Sequence, residues 1–492
     1  MINFENNGVA RFPVRSEHIT VRAIRLNTVT DDTDTLVTES ECNLFKGCAQ
    51  ELFGQIFILT DHSTEKSTVY IIPTPDYALP SLKVEDKTVI INTFGYPVSI
   101  GQSAVGDAEC LVRDWYRMHY RAENLIAMSN TWGDRNGRTR VNEDFIKKEI
   151  DSGADIGLDV VQIDDGWQKG IPNTYDEEGV RVFEGDFWQV KDEVFPRGLS
   201  PLSAYAKERG VELGLWFAPH SRGCFEHFER DVSVLRSAYR DFQFKFFKLD
   251  MLSLPSEEYS SRMLDFLDEV LSFGEDVSVE LDVTADKRLG YLASAPYGTI
   301  FVENRYTAWA NYYPHRTLRN LWSLSRFVPA SKLQFELVNT ELYTDKYSDS
   351  DELRPALYGI DYLFASVMIS NPLFWMETQF LSDGCRERLK AIVPIWKSYR
   401  NELAECDVYP IGEKPSGRAL TGFAADHGDT SHLLVFREVT DRDSFTFTLR
   451  DEYGSGELVV SDAPVDFELN GNTVKVKFEN KRSYAWIKLR KK

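Results

Sequence analysis

A chain of 492 residues that is 42% hydrophobic, 27% charged and 13% aromatic can bury a sizeable core, which excludes the disordered and fibrous classes. At about 150 residues per domain it holds two or three units, a barrel of roughly 250 residues absorbing two of those shares. The formal net charge of −21 repels phosphate backbones and anionic lipid surfaces, so neither nucleic acid nor a membrane is an expected partner.

In chain order, the first eight residues lack the basic and apolar regions of an export signal, and no later stretch approaches the ~20 apolar residues of a membrane span. The expected location is therefore the cytoplasm. Short alternating runs over 18–26, 56–60, 67–72 and 88–93, broken by turn residues, predict an all-β domain over 1–106. Cys110, Leu111, Trp115 and Met118 fall on one flank of a connecting helix over 107–120. From 121 to 404 apolar strands alternate with helix-length segments, the rhythm of a parallel sheet with crossover helices. Strands are predicted over 125–129, 160–163, 213–217, 244–249, 277–281, 299–302, 333–337 and 365–369, and eight of them imply an α/β architecture with a closed (β/α)8 TIM barrel. Helices are predicted over 143–152, 201–209, 256–272, 318–327 and 383–403. A β pattern returns over 405–492 and fits a C-terminal β-sandwich, so the barrel is flanked by β-sandwich-like units. Cys42, Cys48, Cys110, Cys224, Cys385 and Cys406 are too dispersed for a disulfide framework and are expected as free thiols.

Catalytic groups of such barrels stand at the C-terminal ends of the strands. The first strand runs into Asn130, Trp132 and Asp134, the second into Asp164, Asp165 and Trp167, the third into Trp216 and His220, and the fourth into Lys248 and Asp250. The fifth carries Glu280 and Asp282 with Arg288 beyond, and the sixth ends in Glu303, Asn304 and Arg305. Side chains two apart on a strand share a face, so Lys248 and Asp250 meet at the barrel mouth, where an ammonium keeps a carboxylate ionised. An ionised carboxylate beside a second, protonated carboxyl is the equipment of a glycosidase. The Asp164–Asp165 pair offers acceptors for ring hydroxyls, and Trp132, Trp167 and Trp216 offer flat apolar walls. Each feature has a plainer reading: a strand-ending turn for Asp164 and Asp165, a structural ion pair for Lys248 and Asp250, a salt bridge from Glu303 to Arg305, and core packing for the tryptophans. His220, Cys224 and His227 form an H-x3-C-x2-H cluster without a spaced fourth ligand, so no metal is expected, and no cofactor. Phosphate-loop and serine-elbow motifs do not occur in the sequence.

Four segments resemble glycoside hydrolase family 36, the α-galactosidases and their relatives. Residues 160–168, VVQIDDGWQ, look like that family's strand-two signature; 214–219, GLWFAP, resemble Gly-Leu-Trp-x-Glu-Pro; 247–251, FKLDM, resemble Lys-Trp-Asp-Met; and 301–307, FVENRYT, fall where the family has Ser-Asp-Asp-Thr. The resemblance implies that Asp250 is the nucleophile, that Glu303 is the acid/base with Asp282 and Glu280 as rivals, and that Asp164, Asp165 and Lys248 bind sugar hydroxyls. It implies further that Trp132 and Trp167 shape the subsite and that Arg288 matches an arginine following strand five. Two departures bear on the substrate. The family's Glu is Ala218, with His220 just after it, and its Cys-Ser-Gly-Gly-Gly stretch is 281–285, Leu-Asp-Val-Thr-Ala.

The expectation is a retaining α-glycosidase releasing a non-reducing terminal α-D-galactose from an oligosaccharide or glycoside through a glycosyl-Asp250 intermediate. Its rivals are a related α-glycosidase for α-N-acetylgalactosaminides, α-glucosides or α-xylosides, a transglycosylase, and a barrel that binds carbohydrate without catalysis. Related enzymes are often multimeric, so the resemblance also implies that the N-terminal β-domain could pack against a neighbour's barrel in a homo-oligomer.

Overall fold

A computed structural model of the chain describes every residue except 5–6, 15–17, 29–34, 45–49, 86, 121, 123, 134–136, 173, 176, 178–180 and 285–286, so that Cys48, Asp134 and Ala285 lie outside the described residues. The N-terminal strands pair into antiparallel sheets of six and four strands around a core that includes Val21, Phe57, Ile72, Val89 and Ile91. Helix α1 (Ala108–His119) follows, burying Val112, Arg113, Trp115 and Tyr116 on one side.

Eight parallel strands then close a barrel. They are β1 (Met128–Asn130), β2 (Val160–Ile163), β3 (Glu212–Phe217), β4 (Phe246–Leu249), β5 (Ser278–Asp282), β6 (Thr299–Phe301), β7 (Leu333–Leu337) and β8 (Asn371–Phe374). Principal crossover helices are α2 (Glu143–Ile156), α3 (Ser200–Arg209), α4 (Phe228–Phe242), α5 (Glu257–Leu271), α6 (Pro314–Leu324), α7 (Ile360–Val367) and α8 (Asp383–Glu405). Helix α2 begins where the Asn142 side chain accepts the Phe145 amide at 3.0 Å, and it ends at Gly157, whose φ of 91° suits a residue without Cβ. After α8, sheets of five and three antiparallel strands form the C-terminal unit. Among the described residues no helix is long and apolar enough to cross a membrane.

The expected strand over 365–369 is incorrect. Most of that segment lies in α7 and the residues just after it, and the eighth strand is 371–374. Every residue of α7 is buried, between the barrel and the C-terminal sheet, so the helix shows no polar face to give a 3.6-residue period, and its apolar run reads as a strand. Helix α4 escaped the sequence reading altogether.

Charged groups fasten the units to one another. The Asp407 carboxylate, at the start of the C-terminal unit, accepts from Arg113 Nε at 2.6 Å and Nη2 at 3.0 Å, from Arg117 at 2.5 Å and from Arg450 at 2.6 Å. Burial works against that negative charge, but the three guanidinium groups outweigh it and hold the Asp407 carboxyl well below the usual range. One turn before Arg113 on α1, Glu109 is reached by Arg22 at 2.8 Å and by Arg326 at 2.5 Å, joining the N-terminal sheet to the segment after α6.

Candidate active site

The barrel interior carries a polar layer that supports the mouth above it. Asn130 donates to Gln162 Oε1 at 2.6 Å, and Gln162 donates to Glu280 Oε2 at 3.0 Å, with Lys248 in register between Trp216 on β3 and Glu280 on β5. Burial pushes the Glu280 carboxyl up to about 7. Glu280 does not line the cavity.

Above this layer lies a cavity of about 250 Å³ at the C-terminal ends of the strands. Its walls bring together Trp132, Asp164, Asp165, Trp216, Lys248, Asp250, Asp282 and Arg288. Arg181, Thr284, Asn304, Tyr306, Trp309 and Trp375 also line it. Asn304 was visible at a strand end, whereas Trp375 follows the strand that was misplaced by several residues, and Arg181 and Trp309 come from connections with no local signal. Arg181 Nε has no hydrogen-bond partner among the described residues.

Asp250 follows β4 directly. Its Oδ2 accepts the Trp216 indole N–H at 3.1 Å, and its Oδ1 accepts the Met251 amide at 2.5 Å and lies 3.4 Å from Arg288 Nη2. Burial would raise its pKa. The charges of Lys248 and Arg288 and these hydrogen bonds more than reverse that effect, so the Asp250 carboxyl lies below the ordinary value and is ionised. Asp282 is shifted the other way. Burial first, and the Asp250 charge second, push it up to about 6, although its Oδ1 accepts from Thr284 N at 2.8 Å and Thr284 Oγ1 at 2.7 Å. Lys248 Nζ lies 3.3 Å from Asp164 Oδ2 and 3.8 Å from Asp282 Oδ2, over the rings of Trp375 at 4.6 Å and Phe301 at 4.8 Å. Burial opposes the ammonium, but Asp164, Asp250 and Asp282 more than compensate and keep it charged.

Local backbone explains how the aromatic and acidic groups are aimed. Asp164 Oδ2 accepts from Asn130 at 2.8 Å and Asp165 Oδ1 accepts from Gln168 at 2.6 Å. Gly166, at φ 127°, then turns the chain in a conformation that a side chain would resist. Gly133, next to Trp132, packs so closely on the backbone just after β8 that an added Cβ would lie 1.8 Å from the Trp375 carbonyl oxygen, so bringing this loop to the rim requires glycine.

Two expectations are corrected. Trp167 does not line the cavity: it stacks on Trp188 at 5.9 Å and donates Nε1–H to the Trp216 carbonyl at 3.0 Å, so it supports the wall from behind. Glu303 does not line it either. The residue is 1% exposed and its carboxylate is turned to α6, where Thr317 Oγ1 donates at 2.8 Å and Asn320 Nδ2 donates as well, while the next residue, Asn304, reaches the cavity. Among the described residues, the cavity carboxyls are therefore Asp164, Asp165, Asp250 and Asp282.

His220 lies beside this wall, its ring 5.5 Å from Phe183, and is pushed down to about 4, first by burial and then by His227 and Arg230.

Fold and cavity together define a (β/α)8-barrel protein with an acidic, aromatic-lined cavity at the barrel mouth. Parts of its sequence and its whole fold are similar to those of alpha-galactosidases, family 36 members among them. The Melibiase family model matches residues 108–227. Alpha-galactosidase Mel36A of Lactobacillus acidophilus is 36% identical over 78 residues, which are 16% of this chain and 10% of that protein, so the matched stretch spans about a tenth of the curated relative's length. In three dimensions the alpha-galactosidase of Lactobacillus brevis superposes with a TM-score of 0.72 at 12% identity, covering 98% of this chain and 75% of that one. A variant of the family 36 alpha-galactosidase AgaA from Geobacillus stearothermophilus, in complex with raffinose, gives 0.71 at 14% identity, covering 98% and 76%.

Proposed function

We propose that this protein is a retaining α-glycosidase that hydrolyses non-reducing terminal α-D-galactosides. The observation that carries the reading is the opposed pair in the cavity: Asp250 is held ionised by Trp216, Arg288, Lys248 and the Met251 amide, while burial and the Asp250 charge favour a proton on Asp282. Two carboxyls pushed apart in this way divide the nucleophile and acid roles between them. The choice of galactose rests on the names of the relatives and on the raffinose bound to the AgaA variant.

In the first step an Asp250 oxygen attacks the anomeric carbon, the bond to the departing oxygen breaks, and that oxygen takes the proton of Asp282. The product is a β-linked ester on Asp250. In the second, Asp282 takes a proton from water, the water oxygen attacks the same carbon, and the ester bond breaks to return Asp250 as a carboxylate. Retention corresponds to a carboxyl separation of about 5–5.5 Å, against about 6.5–9.5 Å for inversion. Lys248, Asp164 and Asp165 serve sugar hydroxyls, and Trp132, Trp216 and Trp375 enclose the ring.

A second reading, sugar binding without turnover, draws support from the burial of Glu303 against α6 and from the amide of Asn304, which has no acidic proton, at the cavity. Hydrolysis of nitrophenyl α-galactoside with proton NMR detection of the first-formed anomer separates the two. Release of α-galactose supports the proposal, β-galactose first refutes retention, and galactose binding by calorimetry without turnover supports the second reading.

A further inference from the structure

After β3 the chain passes His220 and turns back on itself through Gly223, Cys224 and Phe225, whose φ values of 57°, 52° and 62° all lie in the left-handed region. The reversal returns Glu226 and His227 to the neighbourhood of His220. The two imidazole rings stack at 4.8 Å, and one ligand atom from each of His220, Glu226 and His227 lies within 4.8 Å of the others. Gly223 leaves room for the carboxylate, since an added Cβ would lie 3.0 Å from Glu226 Oε2.

His220 is the informative member. It is 2% exposed, and among the described residues neither Nδ1 nor Nε2 has a hydrogen-bond partner. Its backbone N–H is anchored, donating to Asp231 Oδ2 at 2.7 Å, so the residue is fixed while its ring atoms are unsatisfied. A buried imidazole normally has a partner for at least one nitrogen. Within 4.8 Å of a His220 ring nitrogen stand a second imidazole and a carboxylate, a donor set for a transition-metal ion.

We infer that His220, Glu226 and His227 form a binding site for Zn²⁺ or a similar divalent ion. Two imidazole nitrogens and one carboxylate oxygen at about 2.0–2.2 Å leave a fourth tetrahedral position for water. Reaching that geometry requires the ligand atoms to close by roughly 1.5 Å from their present spacing, a displacement within side-chain rotation for Glu226 and His227, both less buried than His220. Cys224, which the sequence spacing had drawn into the cluster, is not one of the three. Arg222 Nε, 4.0 Å from Glu226 Oε1, and Arg230, which pairs with Asp231 at 2.8 Å, are the cations opposing occupancy. The site does not touch the reacting carbon. It braces the wall in which Phe183 packs on Trp188 at 5.7 Å and Trp188 on Trp216 at 5.9 Å, the indole that donates to Asp250.

The test uses the full chain without a polyhistidine tag, stripped with chelator and titrated with Zn²⁺ by calorimetry, with bound metal counted by mass spectrometry. About one equivalent is expected, with affinity falling roughly 10- to 100-fold in His227→Gln and in Glu226→Gln, and with a Zn²⁺-dependent rise in unfolding temperature that both variants lose. His227 and Glu226 are solvent-accessible, so these variants keep the fold, which circular dichroism checks. Absence of binding by the intact chain, or binding unchanged in both variants, overturns the inference. Neither readout needs galactoside turnover.

Discussion

Replacing Lys248 by Met tests whether the cavity charges act as one network. Lys248 Nζ lies 3.3 Å from Asp164 and 3.8 Å from Asp282, and its charge is the leading influence that lowers the Asp250 pKa. A neighbouring opposite charge is worth about 1–3 pKa units. Asp250 attacks only when ionised, so activity is lost as pH falls through its pKa. Removing the ammonium raises that pKa and should shift the acid limb of kcat/KM up by roughly one to three pH units. Asp282 is already pushed up to about 6, and Lys248 is one of the groups lowering it. Without Lys248 it keeps its proton to higher pH, so the alkaline limb should rise as well and the whole bell should move in one direction. Methionine is flexible and apolar enough to rest on Trp375 and Phe301 where the ammonium now sits. Buried carboxylates left without their partner should cost about 3–5 kcal/mol of stability, read by urea unfolding. Profiles of kcat/KM on an aryl α-galactoside, taken where the variant is folded, supply the test. An unmoved bell accompanied only by lost stability would refute the network and leave Lys248 as a structural ion.

Other outcomes follow from the same geometry. Asp250→Ala should lower kcat by about 10⁴-fold or more and, with added azide, should yield β-galactosyl azide, detected by NMR. Asp282→Asn should cost about 10²- to 10⁴-fold with poor leaving groups, far less with dinitrophenolate, and should abolish the alkaline limb, whereas equal losses on both substrates would remove Asp282 from the acid role. Glu303→Gln should leave kcat/KM within about threefold, because the residue binds Thr317 and Asn320 outside the cavity, while lowering stability by about 1–3 kcal/mol. Asp407→Asn should cost about 3–5 kcal/mol at pH 7, since three arginines converge on that carboxylate. Its folded pKa is depressed, so this contribution is present above the ordinary aspartate range and is lost as pH falls through the depressed value. The gap between wild type and variant in urea unfolding should therefore narrow from pH 7 towards pH 3.

The barrel was legible in sequence because a strand buried on both faces reads as a short, largely apolar run, as in Val160–Ile163 and over 213–217 in β3. The same signal failed at α7, where a helix buried all round produces an identical run. Asp250 and Lys248 were legible because two-residue alternation holds within and just beyond β4. Glu303 shows where it lapses. Phe301 faces inward beneath Lys248, and alternation continued to 303 would face that carboxylate inward too, but β6 ends at Phe301 and the loop turns Glu303 to α6. Trp167 fails for a related reason, since β2 ends at Ile163 and Gly166 at φ 127° redirects the chain before the indole. Arg181, Trp309 and Trp375 reach the cavity from connections and strand ends that only tertiary packing places there, and no short-range pattern marks them.

The most direct trial of the account is to treat the protein with a fluorinated α-galactosyl fluoride that forms the ester quickly and releases it slowly, then to digest it and map the labelled peptide by mass spectrometry. The expected result is one galactosyl adduct per chain, carried by Asp250. An adduct on Asp282 or another side chain, or rapid fluoride release with inversion and no adduct, would contradict it.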